Sequence, residues 1–335
     1  MKISQDKPLD PSYTVILFYK YTEILELDRC LNWQRGICRK YNLTGRIRLA
    51  SEGINVTLEG KNADIEKYIN EIKTDLKYHD LSDAEIKTSV GTGFAFHNLS
   101  VKIVSEIVKL GLGTEDIDPN QLTGVHLKPA ELRSWYENND DFVVIDMRND
   151  YEFRVGHFKN SINPPITNFR EIADVLPDIV KENPGIENKK VLTVCTGGVR
   201  CEKASGYLLK KGFKEVYQLD GGMHKYMEEF PGKDFRGGLF TFDNRVVMNF
   251  TKDREVIGVC DMCNGKTERF DNCINDECHV HMMVCQECRD KNSLYGVQIH
   301  VGRLGDWGRC VFGILIWKMR QRHRSLLIRR RLLLG

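Results

Sequence analysis

Val191-Leu192-Thr193-Val194-Cys195-Thr196-Gly197-Gly198-Val199-Arg200 is the stretch on which the fold turns. Val191–Val194 is a short, continuous apolar run of the kind that forms a strand buried on both faces. It stops at Cys195, two glycines follow, and Glu202–Lys211 then reads as a helix ended by Gly212. The pattern recurs on both sides. Phe142–Ile145 is another buried strand, ending at Asp146, and Val216–Leu219 is a third, followed by Asp220-Gly221-Gly222. Strands alternating with helices predict a parallel α/β sheet with helices on both faces, over about residues 127–237. Ligands of such sheets bind at the carboxyl ends of the strands, where Asp146 and Cys195 fall.

The chemistry of the stretch follows from its residue types. Gly197 and Gly198 let the backbone curl so that several N–H groups converge, which makes a nest for an anion. The helix that follows adds its positive end. A thiol at the start of such a turn, Cys195, is expected to have a lowered pKa and to be nucleophilic. Thr196 and Val199 complete the turn and Arg200 closes it. The loop is one residue shorter than the Cys-to-Arg cradle of protein phosphatases, which favours a sulfur-carrying cysteine over phosphate chemistry.

Upstream, Thr14–Tyr19, Gly45–Ala50 and Ile54–Leu58 read as strands, with later strand material in Ile86–Thr88 and Leu99–Val108. Leu27–Tyr41 and Ala63–Leu76 have helical apolar spacing. The order βαββαβ predicts a ferredoxin-like α+β domain over residues 1–113, followed by a linker at 114–126. Downstream, residues 238–291 hold three cysteine pairs: Cys260 with Cys263, Cys273 with Cys278, and Cys285 with Cys288. Two CxxC pairs bracketing the Cys273-x4-Cys278 pair suit tetrahedral thiolate zinc of structural type; all six cysteines are candidate ligands, four closing one site and the rest, with a histidine, serving a second, incomplete one. His279 and His281 lie near, but no arrangement of Glu and His indicates an open, catalytic position.

Composition sets the outer bounds. The chain has 335 residues, more than one ordinary domain holds. Lys and Arg number 49 against 47 Asp and Glu, a net charge of +2, so a global basic field is excluded and nucleic acid must be met by a local patch. The longest apolar run, Cys310–Trp317, is far too short to span a membrane, and Met1–Asp10 carries no secretory core, so no membrane partner and a cytoplasmic location are expected. Eleven cysteines in a reducing compartment argue for metal or thiol chemistry. The end of the chain, residues 292–335, is a basic tail bearing Arg320, Arg322, Arg324, Arg329, Arg330 and Arg331.

Taken together, Asp146-Met147-Arg148-Asn149-Asp150-Tyr151-Glu152-Phe153, Gly156-His157-Phe158, Ile162-Asn163, the Cys195 loop and Asp220-Gly221-Gly222 resemble a rhodanese domain. CTGGVRCEKA at Cys195–Ala204, ASEGIN at Ala50–Asn55, FTFDNRV at Phe240–Val246 and the cysteine cluster narrow the likeness. The combination resembles the rhodanese-domain tRNA uridine hydroxylases, over roughly residues 13–288. The resemblance implies an oxidoreductase that places a hydroxyl on C5 of the wobble uridine, position 34, with molecular oxygen as co-substrate and an electron donor that is not named. It implies that Cys195 is the catalytic cysteine, carrying a persulfide whose terminal sulfur Arg200 and the Gly197 and Gly198 amides hold. Asp146 and Arg148 are expected to pair and buttress the loop. Cys201 is either a resolving thiol or an inward-packed residue of the helix start. No flavin or nicotinamide motif and no iron triad is evident in the sequence. The alternative is a sulfurtransferase moving sulfane sulfur from thiosulfate or a persulfide donor, which the Cys195 loop supports equally. The flanking domains favour the hydroxylase, and its partner is the tRNA anticodon loop. Arg46, Arg48 and Lys61, read as flanking the ASEGIN turn, mark a candidate tRNA contact. The tail departs from the family, and the later cysteine pair usual there is replaced by Lys291-Asn292-Ser293-Leu294-Tyr295.

Overall fold

The computed structural model describes residues 7–75, 77–272 and 281–294. Cys273, Cys278, His279, Cys310 and the arginine-rich tail therefore lie outside the described residues.

The first domain runs β1 (Asp10–Tyr21), α1 (Leu27–Lys40), β2 (Thr44–Ala50), β3 (Gly53–Lys61), α2 (Asn62–Thr74), β4 (Lys87–Gly91) and β5 (Leu99–Ile103). The strand order β4-β1-β3-β2 is the ferredoxin-like arrangement, and β5 adds a fifth strand parallel to β2. Period-two alternation gives one sheet face to the core. Ile16, Phe18, Ile47, Leu49, Val56 and Leu58 pack there under both helices, with α1 supplying Cys30, Gln34, Ile37 and Cys38 at helical spacing. The other face carries no helix. Strand β5 ends at Ile103 rather than Val108, because the chain leaves the sheet to reach the second domain. Ile107 is buried there, and its N–H donates to Glu52 Oε1 at 2.7 Å. The β2–β3 turn needs its glycine. Gly53 has φ +153, and a Cβ on it would lie 2.2 Å from the Lys20 carbonyl oxygen.

The second domain runs β6 (Val125–Leu127), α3 (Pro129–Asn138), β7 (Phe142–Asp146), α4 (Asp150–Val155), β8 (Gly156–Phe158), α5 (Ile172–Glu182), β9 (Lys190–Val194), α6 (Val199–Lys210), β10 (Glu215–Leu219) and α7 (Gly222–Glu229). Strands β6-β10-β9-β7 form a parallel sheet. Separate apolar cores lie on its two faces, around Leu176, Val191 and Leu208 on one and Leu192, Met223 and Tyr226 on the other. Helix α6 starts three residues earlier than the sequence reading placed it. Gly198, at φ +105, turns the chain and caps the helix, so that the Cys201 N–H already donates to the Gly198 carbonyl at 2.9 Å.

The third module adds β11 (Phe235–Gly237) to β8, then the pairs β12 (Leu239–Phe240) with β13 (Val247–Met248) and β14 (Phe270–Asn272) with β15 (His281–Met283), and ends in α8 (Gln286–Leu294). Its Asn244 and Arg245 reach the first domain. The Asn244 N–H donates to the Ala95 carbonyl at 2.9 Å, and Arg245 donates to Ser89 Oγ at 2.8 Å while paired with Asp243.

Candidate active site

Strand β9 delivers Cys195 to the carboxyl edge of the sheet, where its side chain is wholly buried. Its Sγ accepts the Gly198 N–H at 3.2 Å, and the Arg200 and Cys201 amides and the Cys201 thiol also donate to it. Burial works against a charged thiolate, but these donors and the Arg200 charge prevail and bring the Cys195 thiol down to about 6. Cys201, buried and donating to that thiolate, is pushed well above the ordinary thiol range. The two sulfurs thus differ sharply in acidity. At neutral pH Cys195 is the anion and Cys201 its protonated neighbour. The loop is locked from beneath by Gly222, at φ +69, where a Cβ would meet the Cys195 carbonyl oxygen at 2.8 Å.

Arg200 does not spend its planar fork on the sulfur. Its Nη1 and Nη2 donate to Glu152 at 2.7 and 2.9 Å, both side chains are buried, and the Phe242 ring covers the guanidinium at 5.6 Å. Glu152 also accepts the Asn149 N–H at 3.0 Å, so the pair ties the start of α4 to the start of α6. Arg200 therefore acts on Cys195 through its field and its backbone amide. The sequence reading had placed the guanidinium on the sulfur and had assigned Glu152 no role. Asp146 and Arg148 form a fully buried bidentate pair, and Arg148 donates a further bond to the Gly156 carbonyl at 2.6 Å. This pair sits one strand away from the loop, joined to it by the Met147 N–H donating to the Val194 carbonyl at 2.8 Å.

The helix-free face of the first domain covers the loop. A Cβ on Gly197 would lie 2.9 Å from Leu17 Cδ2, and one on Gly198 would lie 2.7 Å from the Tyr19 hydroxyl. Tyr19 donates to Glu202 Oε1 at 3.0 Å and Tyr21 to the Val199 carbonyl at 3.3 Å. Lys87, opposite Leu17 in the sheet, is buried 5.8 Å above the Tyr19 ring, its nearest carboxylate Glu85 being 3.8 Å away. Burial pushes that ammonium below the ordinary lysine range. Across the seam, burial followed by the charges of Lys87 and Arg245 pushes the His224 imidazole down to about 4, so His224 is neutral. Behind the loop, Lys203 is completely buried and bonds Glu52 at 2.8 Å, Glu106 at 2.9 Å and Asp116 at 2.7 Å. The Glu52 of the ASEGIN turn is therefore an inter-domain ligand of Lys203. Lys61 stands at the opposite end of β3 from that turn, at the register of Tyr13, and does not join Arg46 and Arg48.

In the third module the structure brings together Cys260, Cys263, Cys285 and Cys288, whose sulfurs all lie within 4.8 Å of one another. A tetrahedral zinc thiolate site has sulfurs about 3.8 Å apart at Zn–S near 2.3 Å, and Cys263 and Cys285 are 3.6 Å apart. Backbone amides of Gly265, Cys285 and Cys288 donate to three of the sulfurs, each at 3.4 Å, as anionic thiolates require. The donor set fits a closed structural metal site. His281 is not part of it and packs instead against the Tyr151 ring at 4.9 Å.

Comparison with known families follows the same three parts. Residues 13–107 match the UPF0176 acylphosphatase like domain, 128–229 the rhodanese-like domain and 236–297 the rhodanase C-terminal model. A tRNA uridine(34) hydroxylase of Cytophaga hutchinsonii is 39% identical over 280 residues, 83% of this chain and 86% of that protein. Its counterpart in Staphylococcus aureus strain MSSA476 is 41% identical over 284 residues, 84% and 86% of the two chains. The chain belongs to the tRNA uridine(34) hydroxylase family. Among solved structures, a rhodanese-like domain protein from Staphylococcus aureus aligns over 30% of this chain and 90% of its own, at 26% identity and a TM-score of 0.26. Within the hydroxylase family frame, the sequence had exposed the loop, the ion pair beneath it and the thiolate pairs. It had not exposed Glu152, Lys203, Lys87 or Tyr19. One signal for Lys203 was present: it lies within CEKA, in the first turn of the helix that follows the Cys195 loop.

Proposed function

We propose that this chain is an oxidoreductase that hydroxylates C5 of the uridine at position 34 of tRNA, with Cys195 as the reacting group. The observation that carries the reading is the joint built over Cys195. A thiolate in a rhodanese loop is sealed by Leu17 and Tyr19 of a second domain, and by Phe242 of a third at its Arg200 side. A sulfurtransferase acting on a small donor has no use for that cover, whereas an enzyme that takes one base out of an anticodon loop needs a chamber that opens for it and excludes water afterwards. Cys195 has no exposed surface, so a flipped uridine reaches it only after the packing around the loop, in which Leu17 and Tyr19 sit on Gly197 and Gly198, has opened.

In this reading Gly198, Arg200 and Cys201 hold the negative sulfur of Cys195, as thiolate or persulfide, through their amides, and the Cys201 thiol donates to it. Thr196 and Val199 shape the turn, and the Asp146–Arg148 pair keeps the adjoining strand end rigid. Molecular oxygen is the co-substrate the reaction requires, and the reaction takes place in the cytoplasm, where tRNA is. The test is mass spectrometry of tRNA nucleosides from a deletion strain with and without this chain. Restoration of 5-hydroxyuridine at position 34 supports the reading. Its absence, together with thiosulfate sulfurtransfer by the purified protein, overturns it in favour of the sulfurtransferase.

The thiolates of Cys260, Cys263, Cys285 and Cys288 would hold zinc, whose part is to cross-link a module too small to fold on an apolar core alone. Purified protein is expected to contain about one zinc per chain. Chelation should lower the thermal midpoint of the third module, and a metal-free chain of unchanged stability would refute the assignment.

A further inference from the structure

The helix-free face of the first domain is only half covered. Register places two rows of residues across it. Lys87, Leu17, Thr57, Arg46 and Ser100 form one, and Tyr19, Asn55, Arg48 and Lys102 the other. Paired residues share a face of a sheet. The β4–β1 half of this face lies on the Cys195 loop through Leu17 and Tyr19. The β2–β5 half is open: Arg46, Arg48 and Lys102 are exposed there. Arg48 is two strand spacings from Tyr19, about 10 Å.

Strand β5 is also the edge of the sheet, and a groove of about 620 Å³ runs along it, lined by Arg35, Arg39, Asn42, Thr44, Ser100 and Lys102. Arg35 is anchored by donating to the Val101 carbonyl at 2.9 Å. Among the described residues, no carboxylate lies within ion-pair distance of Arg35, Arg39, Arg46, Arg48 or Lys102. Elsewhere on this domain lysines do find partners, as Lys20 does in Asp83 and Lys40 in Glu71. Five unpaired cations on one edge of a chain whose net charge is only +2 are a local field of one sign. Holding them costs free energy in the empty protein. Partial desolvation against the sheet, and the neighbouring Arg46, push the Arg48 guanidinium down from its ordinary value.

We propose that this β2–β5 edge seats the sugar-phosphate backbone of the tRNA anticodon stem, with Arg46, Arg48 and Lys102 on the open sheet face and Arg35 and Arg39 in the edge groove. The proposal rests on the tRNA reading above and adds the place and polarity of docking. One sheet face serves both steps, the cationic half gripping the stem while the Leu17–Tyr19 half meets the loop base at Cys195. Phosphates are the partner because the groove lining combines three cations with neutral donors and no carboxylate, its apolar part being Cys38, Leu43, Leu99 and Val101, and because phosphate contacts position a nucleic acid without reading its sequence.

The experiment measures binding of an unmodified tRNA transcript to the full chain by fluorescence anisotropy over a salt series. It compares the parent with the triple variant Arg46→Gln, Arg48→Gln, Lys102→Gln. Each lost phosphate contact should flatten the slope of log affinity against log salt by about 0.7–0.9. The triple variant should therefore lose about two units of slope and bind roughly ten- to a hundredfold more weakly at moderate salt. Its Cys195 thiolate titration should match the parent, showing an intact seam. Lysine at positions 46 and 48 should keep most of the binding. Equal affinity and slope in parent and variant, with the parent still forming 5-hydroxyuridine, would overturn the surface and leave the function standing. A parent without salt-sensitive tRNA binding would overturn both. Tighter binding of polyglutamate than of tRNA would assign the edge to an acidic protein instead.

Discussion

Replacing Cys195 with Ser should bring 5-hydroxyuridine in tRNA to no more than about 1% of the parent level, because a serine hydroxyl stays protonated where the thiol ionises. The side chain sits in a nest of amides that a hydroxyl also satisfies, so the fold should survive and the loss should be chemical. The anion itself is measurable. The difference in ultraviolet thiolate absorbance between parent and Cys195→Ser should titrate with a midpoint near pH 6. A thiol with a lowered pKa in the folded state contributes stability that is fully present above the ordinary thiol range. That contribution fades as pH falls through about 6. The variant should therefore differ most from the parent in stability at alkaline pH and least below pH 6. Parent levels of the modified nucleoside in the Ser variant, or a midpoint in the ordinary thiol range, would remove Cys195 from the chemistry.

The second large effect is expected at Lys203. Lys203→Met leaves Glu52, Glu106 and Asp116 facing one another across the seam without their shared cation. Removing one member of a buried ion cluster costs about 3–5 kcal/mol, and the partial exposure of the three carboxylates argues for the lower end. Denaturant unfolding and proteolysis of the segment joining the first two domains should both register the loss. The deficit should also depend on pH. Without the ammonium, Glu52 and Glu106 lose the partner that opposes the effect of their burial, so protonation relieves the repulsion and the penalty shrinks as pH falls into the acidic range. Parent stability in Lys203→Met at neutral pH would show that the cluster contributes nothing. If the seam is also the cover over Cys195, the same variant should expose that thiol to alkylating agents.

The contrast between these two sites shows what sequence reading reaches. Cys195 was legible because its determinants are contiguous: an apolar strand, two glycines and a helix start within a few residues of each other. The thiolate set was legible for the same reason, since Cys260 with Cys263 and Cys285 with Cys288 each form one local turn. Lys203 was not, because Glu52, Glu106 and Asp116 come from a turn, a loop and a linker of the preceding chain, which only tertiary packing gathers. Arg200 was read with the wrong partner because Glu152, although inside a quoted motif, lies 48 residues away. Nearness in sequence misled the reading of Lys61. That lysine was grouped with the turn, whereas β3 runs straight on from Gly53 to Lys61 and carries it to the far end of the sheet.

The grip of Asn244 and Arg245 on the first domain has a consequence for synthesis. Residues 241–246 are synthesised after the whole of the first two domains, and domains fold largely in the order in which they emerge. Phe242, which covers Arg200, and Arg245, which bonds Ser89 and the Val90 carbonyl, are therefore the last contacts to be added across the two domains. A released chain that ends near residue 240 carries the residues of both domains and the reactive thiol but lacks these contacts. The inter-domain contacts of the third module are thus deferred until translation has passed its first strands, and a truncated product would lack both the ring over Arg200 and the tie to Ser89 that the finished protein has.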